Sequence, residues 1–248
     1  MTTPIMRAAI KRDHDRPGAR RHPELITATA SLLMLFNKTP ERFWNLIASR
    51  YAASPIADKP AYERKIASLR QRLQADMSVL DIGCATGTQC GDIATSVQRV
   101  IGIDISAKLL TIAKQRMAER RIDNVEFIQA TAFDGQFPSA GFDVVMAFHV
   151  LHFYPDTGHI LRRINDLLKP GGLFISETAS LGNQGGLARG LLSGLGRLGL
   201  LPSMTMLTPP LLENAIESAG FRIVDKTRFS DRRDAEFTYV AQKIREDL

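Results

Sequence analysis

Two cysteines and a single tryptophan are all that 248 residues carry of either. Cys84 and Cys90 lie six positions apart in one turn-and-helix unit. They supply neither a disulfide framework nor the four ligands of a structural zinc site. They read as free thiols, which points to a reducing, cytoplasmic setting. Long apolar runs are missing too. Residues 25–36 are too few to cross a bilayer, and Thr27, Thr29 and Ser31 interrupt them. The basic segment ahead of them is long and contains acids, unlike a secretory leader. Acids are scarcer than bases, 26 against 32, for a formal charge of +6. Much of the excess sits near the start, where Arg7, Lys11, Arg12, Arg16, Arg20 and Arg21 face only Asp13 and Asp15. Residues 1–23 therefore read as a basic flexible tail, and peripheral membrane contact stays open. No aromatic–basic stacking surface accompanies the tail, so no stable nucleic-acid partner is expected.

What the chain does have is core material: 44% of its residues are hydrophobic. Residues 24–76 read as an N-terminal helical cap. Leu25, Ala28, Leu32, Leu35 and Phe36 share one helical face, and after the break "SPIADKP" so do Ile66, Leu69 and Leu73. Phe43 and Trp44 are expected in the core of the cap. From residue 77 the pattern changes to short apolar strands (79–82, 100–104, 125–129, 142–148, 173–177) separated by helices (89–97, 107–121, 160–168). That alternation implies an α/β fold, a doubly wound and mostly parallel sheet with helices on both faces. A helix at 209–219 and two strands at 221–226 and 236–244 follow, joined by the charged turn "SDRRDAE", which suits an antiparallel pair. Residues 180–210 carry only Arg189 and Arg197 as charges among many leucines and glycines, and read as a lid or substrate-facing insertion.

The stretch "VLDIGCATGTQC" carries the chemistry. Gly83 and Gly87 permit a tight turn between a strand and a helix, where a ligand can approach the backbone. Asp104 ends the second strand, 21 residues after Gly83, where an acid can accept both hydroxyls of a ribose. A dinucleotide fingerprint would read G-x-G-x-x-G, but here the small residues are Gly83, Ala85 and Gly87 with no glycine at 88. Asp81 stands just ahead of the turn. A carboxylate there repels a pyrophosphate and attracts an ammonium or sulfonium group, which favours a cationic nucleoside.

With "VLDIGCATG", "VIGIDIS", "VEFIQATAFDGQFPSAGFDVVMAFHVLHF" and "LLKPGGLFISE", residues 77–178 resemble the class I S-adenosylmethionine-dependent methyltransferases of small-molecule type. The resemblance implies a seven-stranded sheet whose last strand is antiparallel and inserted between strands five and six. It makes 77–248 the donor-binding domain, with S-adenosylmethionine over Gly83–Gly87, S-adenosylhomocysteine as product, Asp104 on the ribose and Ile105 against the adenine. It also implies that Tyr51 closes over the methionine end. Two positions depart from the family. Ala85 replaces its middle glycine, tolerable with ordinary backbone angles. Thr131 replaces an acid that receives the adenine amino group, leaving Thr131 a weaker acceptor and the Ala132 and Phe133 backbone to meet the ring edge.

His149 and His152 follow strand four, where the resemblance places the methyl acceptor. His149 is the candidate base or acceptor-orienting residue. No metal is expected, because the sequence shows no carboxylate constellation to complete a histidine site. The leucines of 187–201 suggest a partly apolar, lipid-like small-molecule acceptor, methylated on O, N or C. Three other readings compete with this one. Nucleic-acid or protein methylation lacks the proline-aromatic tetrad, the stretch here being "FHVL". A non-catalytic donor-binding module and a nicotinamide oxidoreductase are the others.

Overall fold

The computed structural model describes residues 39–178, 202–232 and 236–244. The basic tail 1–23, the first part of the 24–76 cap and residues 180–201 of the expected insertion lie outside them.

Among the described residues, two helices precede the sheet. Helix α1 (Pro40–Ala53) starts where the Thr39 hydroxyl accepts from Arg42 N, with Pro40 at its first position. Helix α2 (Lys59–Arg70) is capped by Asp58, whose carboxylate accepts from Ala61 N at 3.0 Å. Its buried side is Ala61, Lys65, Ile66 and Leu69, so one cation rides on an otherwise apolar stripe.

The sheet strands are β1 (Ser78–Ile82), β2 (Arg99–Asp104), β3 (Val125–Gln129), β4 (Phe142–Phe148), β5 (Leu168–Glu177), β6 (Phe221–Thr227) and β7 (Thr238–Lys243). Between them run α3 (Thr88–Ile93), α4 (Ala107–Arg120), α5 (Thr157–Leu167) and α6 (Pro209–Ser218). The order is β3-β2-β1-β4-β5-β7-β6, with β7 antiparallel to both neighbours, as the resemblance implies. Successive side chains point to opposite faces and both faces are covered, so the central strands are apolar throughout. Leu80, Ile82, Val145 and Ala147 pack with the helix residues Ile160, Ile164, Leu212 and Ile216. Val79, Val144 and Met146 pack with Ile66, Leu69, Ile93, Leu110 and Met117 on the other side.

Two boundaries differ from expectation. The helix expected over 89–97 stops at Ile93 and continues as a 3₁₀ turn, Ala94–Ser96. The helix expected over 160–168 does end at Leu167, ahead of "KPGG", but the strand expected from 173 begins at once: β5 starts at Leu168, opposite Phe142, and a register shift lies between Phe142 and Val144. Gly171 takes φ +77° there, and a Cβ on Gly172 would stand 2.9 Å from the Asp143 carbonyl oxygen. Both glycines thus serve an irregular strand rather than a helix cap.

The carboxyl ends of β1, β2, β4 and β5 bring Asp81, Asp104, His149 and Glu177 to one edge, where open parallel sheets bind ligands. Helix α1 is fastened beside that edge. Asn45 Oδ1 accepts from Ser106 Oγ at 2.8 Å and from Lys108 N at 3.1 Å. Arg116 donates to Ala52 O at 2.8 Å and to the hydroxyls of Thr86 and Thr88 at 2.7 and 3.1 Å. No helix among the described residues is long and apolar enough to cross a membrane.

Candidate active site

The turn after β1 holds three residues in the left-handed region: Gly83 at φ +73°, Ala85 at +49° and Gly87 at +68°. The backbone N–H groups of Gly83 and Cys84 both donate to Ile103 O, at 2.8 and 3.0 Å, which ties the turn to the end of β2. A Cβ on Gly83 would come within 2.7 Å of Val150, and one on Gly87 within 2.5 Å of Phe127. Ala85 corrects the expectation of ordinary angles. It bears a methyl group in a conformation that costs an L-residue roughly 1–2 kcal/mol.

Asp104 is what makes that conformation useful. Its Oδ2 accepts from Ala85 N at 3.1 Å and its Oδ1 from Ser106 N at 2.8 Å, so one carboxylate holds both the turn and the start of α4. Burial pushes its pKa up, against the pull of those N–H groups. Asp81 is 1% exposed, and its Oδ2 accepts from the Cys90 thiol at 3.1 Å. Burial raises it to about 7; the thiol draws it down and the charge of Asp104 adds to the rise. Neither carboxylate has a cationic partner among the described residues. Burial, then the charges of Asp104 and Asp81, raise the phenol of Tyr51, so its hydroxyl shares their field.

Along the β2–β3 side, the Ile105 carbonyl accepts from Gln129 Nε2 at 3.1 Å. Thr131 does not stand alone in place of an acid. Its N–H and hydroxyl approach Asp134 Oδ2 at 2.8 and 3.3 Å, while Phe133 N donates to Thr131 Oγ1 at 3.3 Å. The Ala132 carbonyl accepts from Arg163 Nε at 2.8 Å. The Phe133 N–H is therefore engaged within the loop and the Ala132 carbonyl by a side chain of α5, although both were expected to meet a ring edge.

At the ends of β4 and β5 the arrangement overturns one expectation. His149 sits at φ +54°, its N–H donating to Glu177 O at 2.7 Å. Its Nε2 lies 3.2 Å from Glu177 Oε1 and its Nδ1 3.2 Å from Glu236 Oε2. Two carboxylates do converge on His149, and the stated ground for excluding a metal fails. Glu177 Oε2 also accepts from Lys65 Nζ at 3.0 Å and Thr238 Oγ1 at 2.7 Å. Burial would raise Glu177, but the His149 hydrogen bond and the Lys65 charge outweigh it and hold it at about 2. His152 is different. It is buried, its ring 4.1 Å from Phe153, and burial followed by the charge of His149 lowers it to about 4. It is a neutral packing residue.

Trp44 belongs less to the cap core than expected. It is half-buried and meets Tyr51 edge-on at 6.0 Å and Phe153 at 5.5 Å, joining α1 to the segment after β4. Glu177 was legible in "FISE", an acid ending an apolar strand as Asp104 does. Lys65 and Glu236 gave no such signal.

Residues 73–205, more than half of the chain, match the family model described as a methyltransferase domain. The chain belongs to this methyltransferase family. Within it, the domain is 39% identical over 99 residues to a demethylmenaquinone methyltransferase of Lactococcus lactis, covering 39% of each chain. It is 29% identical over 153 residues to a ubiquinone biosynthesis O-methyltransferase of Bradyrhizobium, covering 58% of this chain and 59% of that one. These matches span less than two thirds of the curated relatives' length. Among solved structures, the [4+2]-cyclase SpnF superposes with a TM-score of 0.61 at 19% identity, over 73% of this chain and 80% of that one. That likeness concerns the fold alone.

Proposed function

We propose that this methyltransferase binds S-adenosylmethionine at the Gly83–Gly87 turn and transfers its methyl group to a small, partly apolar acceptor. The observation that carries the reading is the pair of buried acids, Asp81 and Asp104, without a cation of their own. Two carboxylates desolvated in this way favour a ligand that brings positive charge. The donor supplies an activated methyl group on a sulfonium; the protein aligns, desolvates and deprotonates. Asp104 binds the ribose, Ile105 lies on the adenine, and Thr131, Ala132 and Phe133 border its edge. Tyr51 closes over the methionine end.

His149 handles the acceptor's proton. Glu177 holds Nε2, so Nδ1 becomes the accepting nitrogen once Glu236 gives way to an acceptor hydroxyl. The aromatic group of Trp44, Tyr51 and Phe153 suits an acceptor with an apolar ring or chain. The names of the two relatives above, concerned with quinones, support that class. Titration with S-adenosylhomocysteine and NAD, followed by label transfer from methyl-tritiated donor to a panel of apolar phenols and quinols, tests the reading. Binding of NAD in preference to S-adenosylhomocysteine would contradict it, and donor binding without transfer to any acceptor would favour a non-catalytic module.

A further inference from the structure

We infer that Lys65 is a positioning residue for His149, acting through the Glu177 carboxylate to decide which imidazole nitrogen is bare. The inference rests on the reading of His149 as the group that takes the acceptor's proton, and it deepens that reading by naming what prepares the ring.

Helix α2 buries Ala61, Lys65, Ile66 and Leu69. A lysine in such company is rare unless paired, and an apolar side chain of similar length would pack there at less cost. The ammonium stands 4.9 Å from the centre of the Phe148 ring and 5.7 Å from that of Tyr62, and it donates to Glu177 Oε2 at 3.0 Å. Both partners are shielded, their side chains being 8% and 15% exposed, so solvent ions screen this attraction far less than at the surface. Thr238 Oγ1 donates to the same oxygen at 2.7 Å. With Oε2 filled, Oε1 faces His149 Nε2 at 3.2 Å.

Glu177 holds the histidine by its backbone as well: its carbonyl accepts from His149 N at 2.7 Å, where His149 adopts φ +54°. The two acids at His149 stand on opposite ring nitrogens and differ in setting. Glu177 is backed by a buried cation, whereas Glu236 lies ahead of β7 and has a further interaction of its own. A carboxylate kept ionised in this way accepts and does not donate. Nε2 therefore carries the proton of the neutral ring, and Nδ1 keeps the lone pair that an acceptor hydroxyl requires. Lys65 also balances the charge of Glu177, so the ring need not hold a second proton to do so. The acceptor's proton passes to Nδ1 as its oxygen bonds to the donor's methyl carbon. The carbon–sulfur bond breaks in the same step, its electron pair staying on sulfur.

Among the described residues, the groups whose charge faces this ring are Glu177 on β5, Glu236 ahead of β7, Lys65 behind Glu177, and His152 in the following 3₁₀ turn. The test is a proton NMR titration of the His149 ring in the full chain with S-adenosylhomocysteine bound, the resonance being identified by its loss in His149→Ala. Lys65→Met should raise the His149 midpoint by about one pH unit, since Glu177 then draws its balancing charge from the imidazolium. Lys65→Gln, which keeps a donor for Oε2 without the charge, should do likewise, and it serves should the methionine variant fail to fold. Thr238→Val removes a bond to the same oxygen but no charge, and should move the midpoint far less.

A midpoint unmoved in a lysine variant that still binds S-adenosylhomocysteine overturns the inference and leaves Lys65 an anchor for α2. Methyl transfer separates this from the reading beneath it. The acid limb of kcat against pH should follow the NMR midpoint from variant to variant. A midpoint that moves while the limb stays in place upholds the link between Lys65 and His149 and overturns His149 as the base.

Discussion

The carboxylate of Asp104 reaches the backbone N–H of Ala85 at 3.1 Å, so the acid that ends β2 is held by the turn that ends β1. Truncating it to alanine removes the partner of two backbone N–H groups and, on the proposed reading, an acceptor for the donor's ribose. Asp104→Ala should weaken S-adenosylhomocysteine binding by roughly 1–3 kcal/mol and lower thermal stability as well. Asp104→Asn keeps the shape and one accepting oxygen, and should lose less stability. Calorimetry on both variants, beside thermal melts, checks the division. Unchanged affinity in Asp104→Ala would remove the ribose contact.

Ala85 occupies a left-handed conformation that glycine adopts without strain. Ala85→Gly should therefore leave stability unchanged or raise it by up to about 1 kcal/mol, the relief being partly offset by the freer unfolded chain. Urea unfolding measures this. A clear loss of stability would show that the methyl group contributes packing.

Asp81 gives a pH dependence with a definite sign. Its folded pKa of about 7 lies above the ordinary 3.8, so the folded state holds this proton more tightly. That contribution to stability is complete below about pH 4 and is lost as pH rises through about 7. Binding of the cationic donor runs the other way, because the ionised acid is the better partner. Donor affinity should rise with pH across neutrality, and Asp81→Asn should flatten both curves. Glu177, held at about 2, acts oppositely at low pH: its contribution is present above about 4.5 and fades as pH falls toward 2.

Arg116 joins the end of α1 to the turn, through Ala52 O and the hydroxyls of Thr86 and Thr88. Arg116→Met keeps most of the apolar stem and removes those bonds. Faster amide hydrogen exchange in α1, and donor binding weakened by a few-fold, are the expected outcomes. Exchange unchanged throughout α1 would mean that Asn45 and Trp44 suffice to hold the helix.

The sheet was legible because burial on both faces writes itself as apolar runs: "VLDI", "VIGID" and "FDVVMAF" all became parallel strands of one sheet. Asp81 and Asp104 stood out for the opposite reason, as acids where such runs end. The start of β5 was not legible: the apolar run begins at Leu173, but the pairing of Leu168 with Phe142 draws "KPGG" into the sheet as well. The left-handed Ala85 was invisible, since its conformation is imposed by a carboxylate 19 residues away. That two acids meet at His149 was hidden by distance along the chain. Glu177 and Glu236 reach one imidazole only because β7 inserts beside β5, and local spacing carries no trace of that.

Isothermal titration of S-adenosylmethionine into the full chain, repeated with Asp81→Asn and Asp104→Asn, bears most directly on the claim that two unpaired buried acids await a cationic nucleoside. The account predicts one saturable site per chain, weakened in both variants and indifferent to NAD. No heat of binding, or a site that NAD fills and neither substitution disturbs, would contradict it.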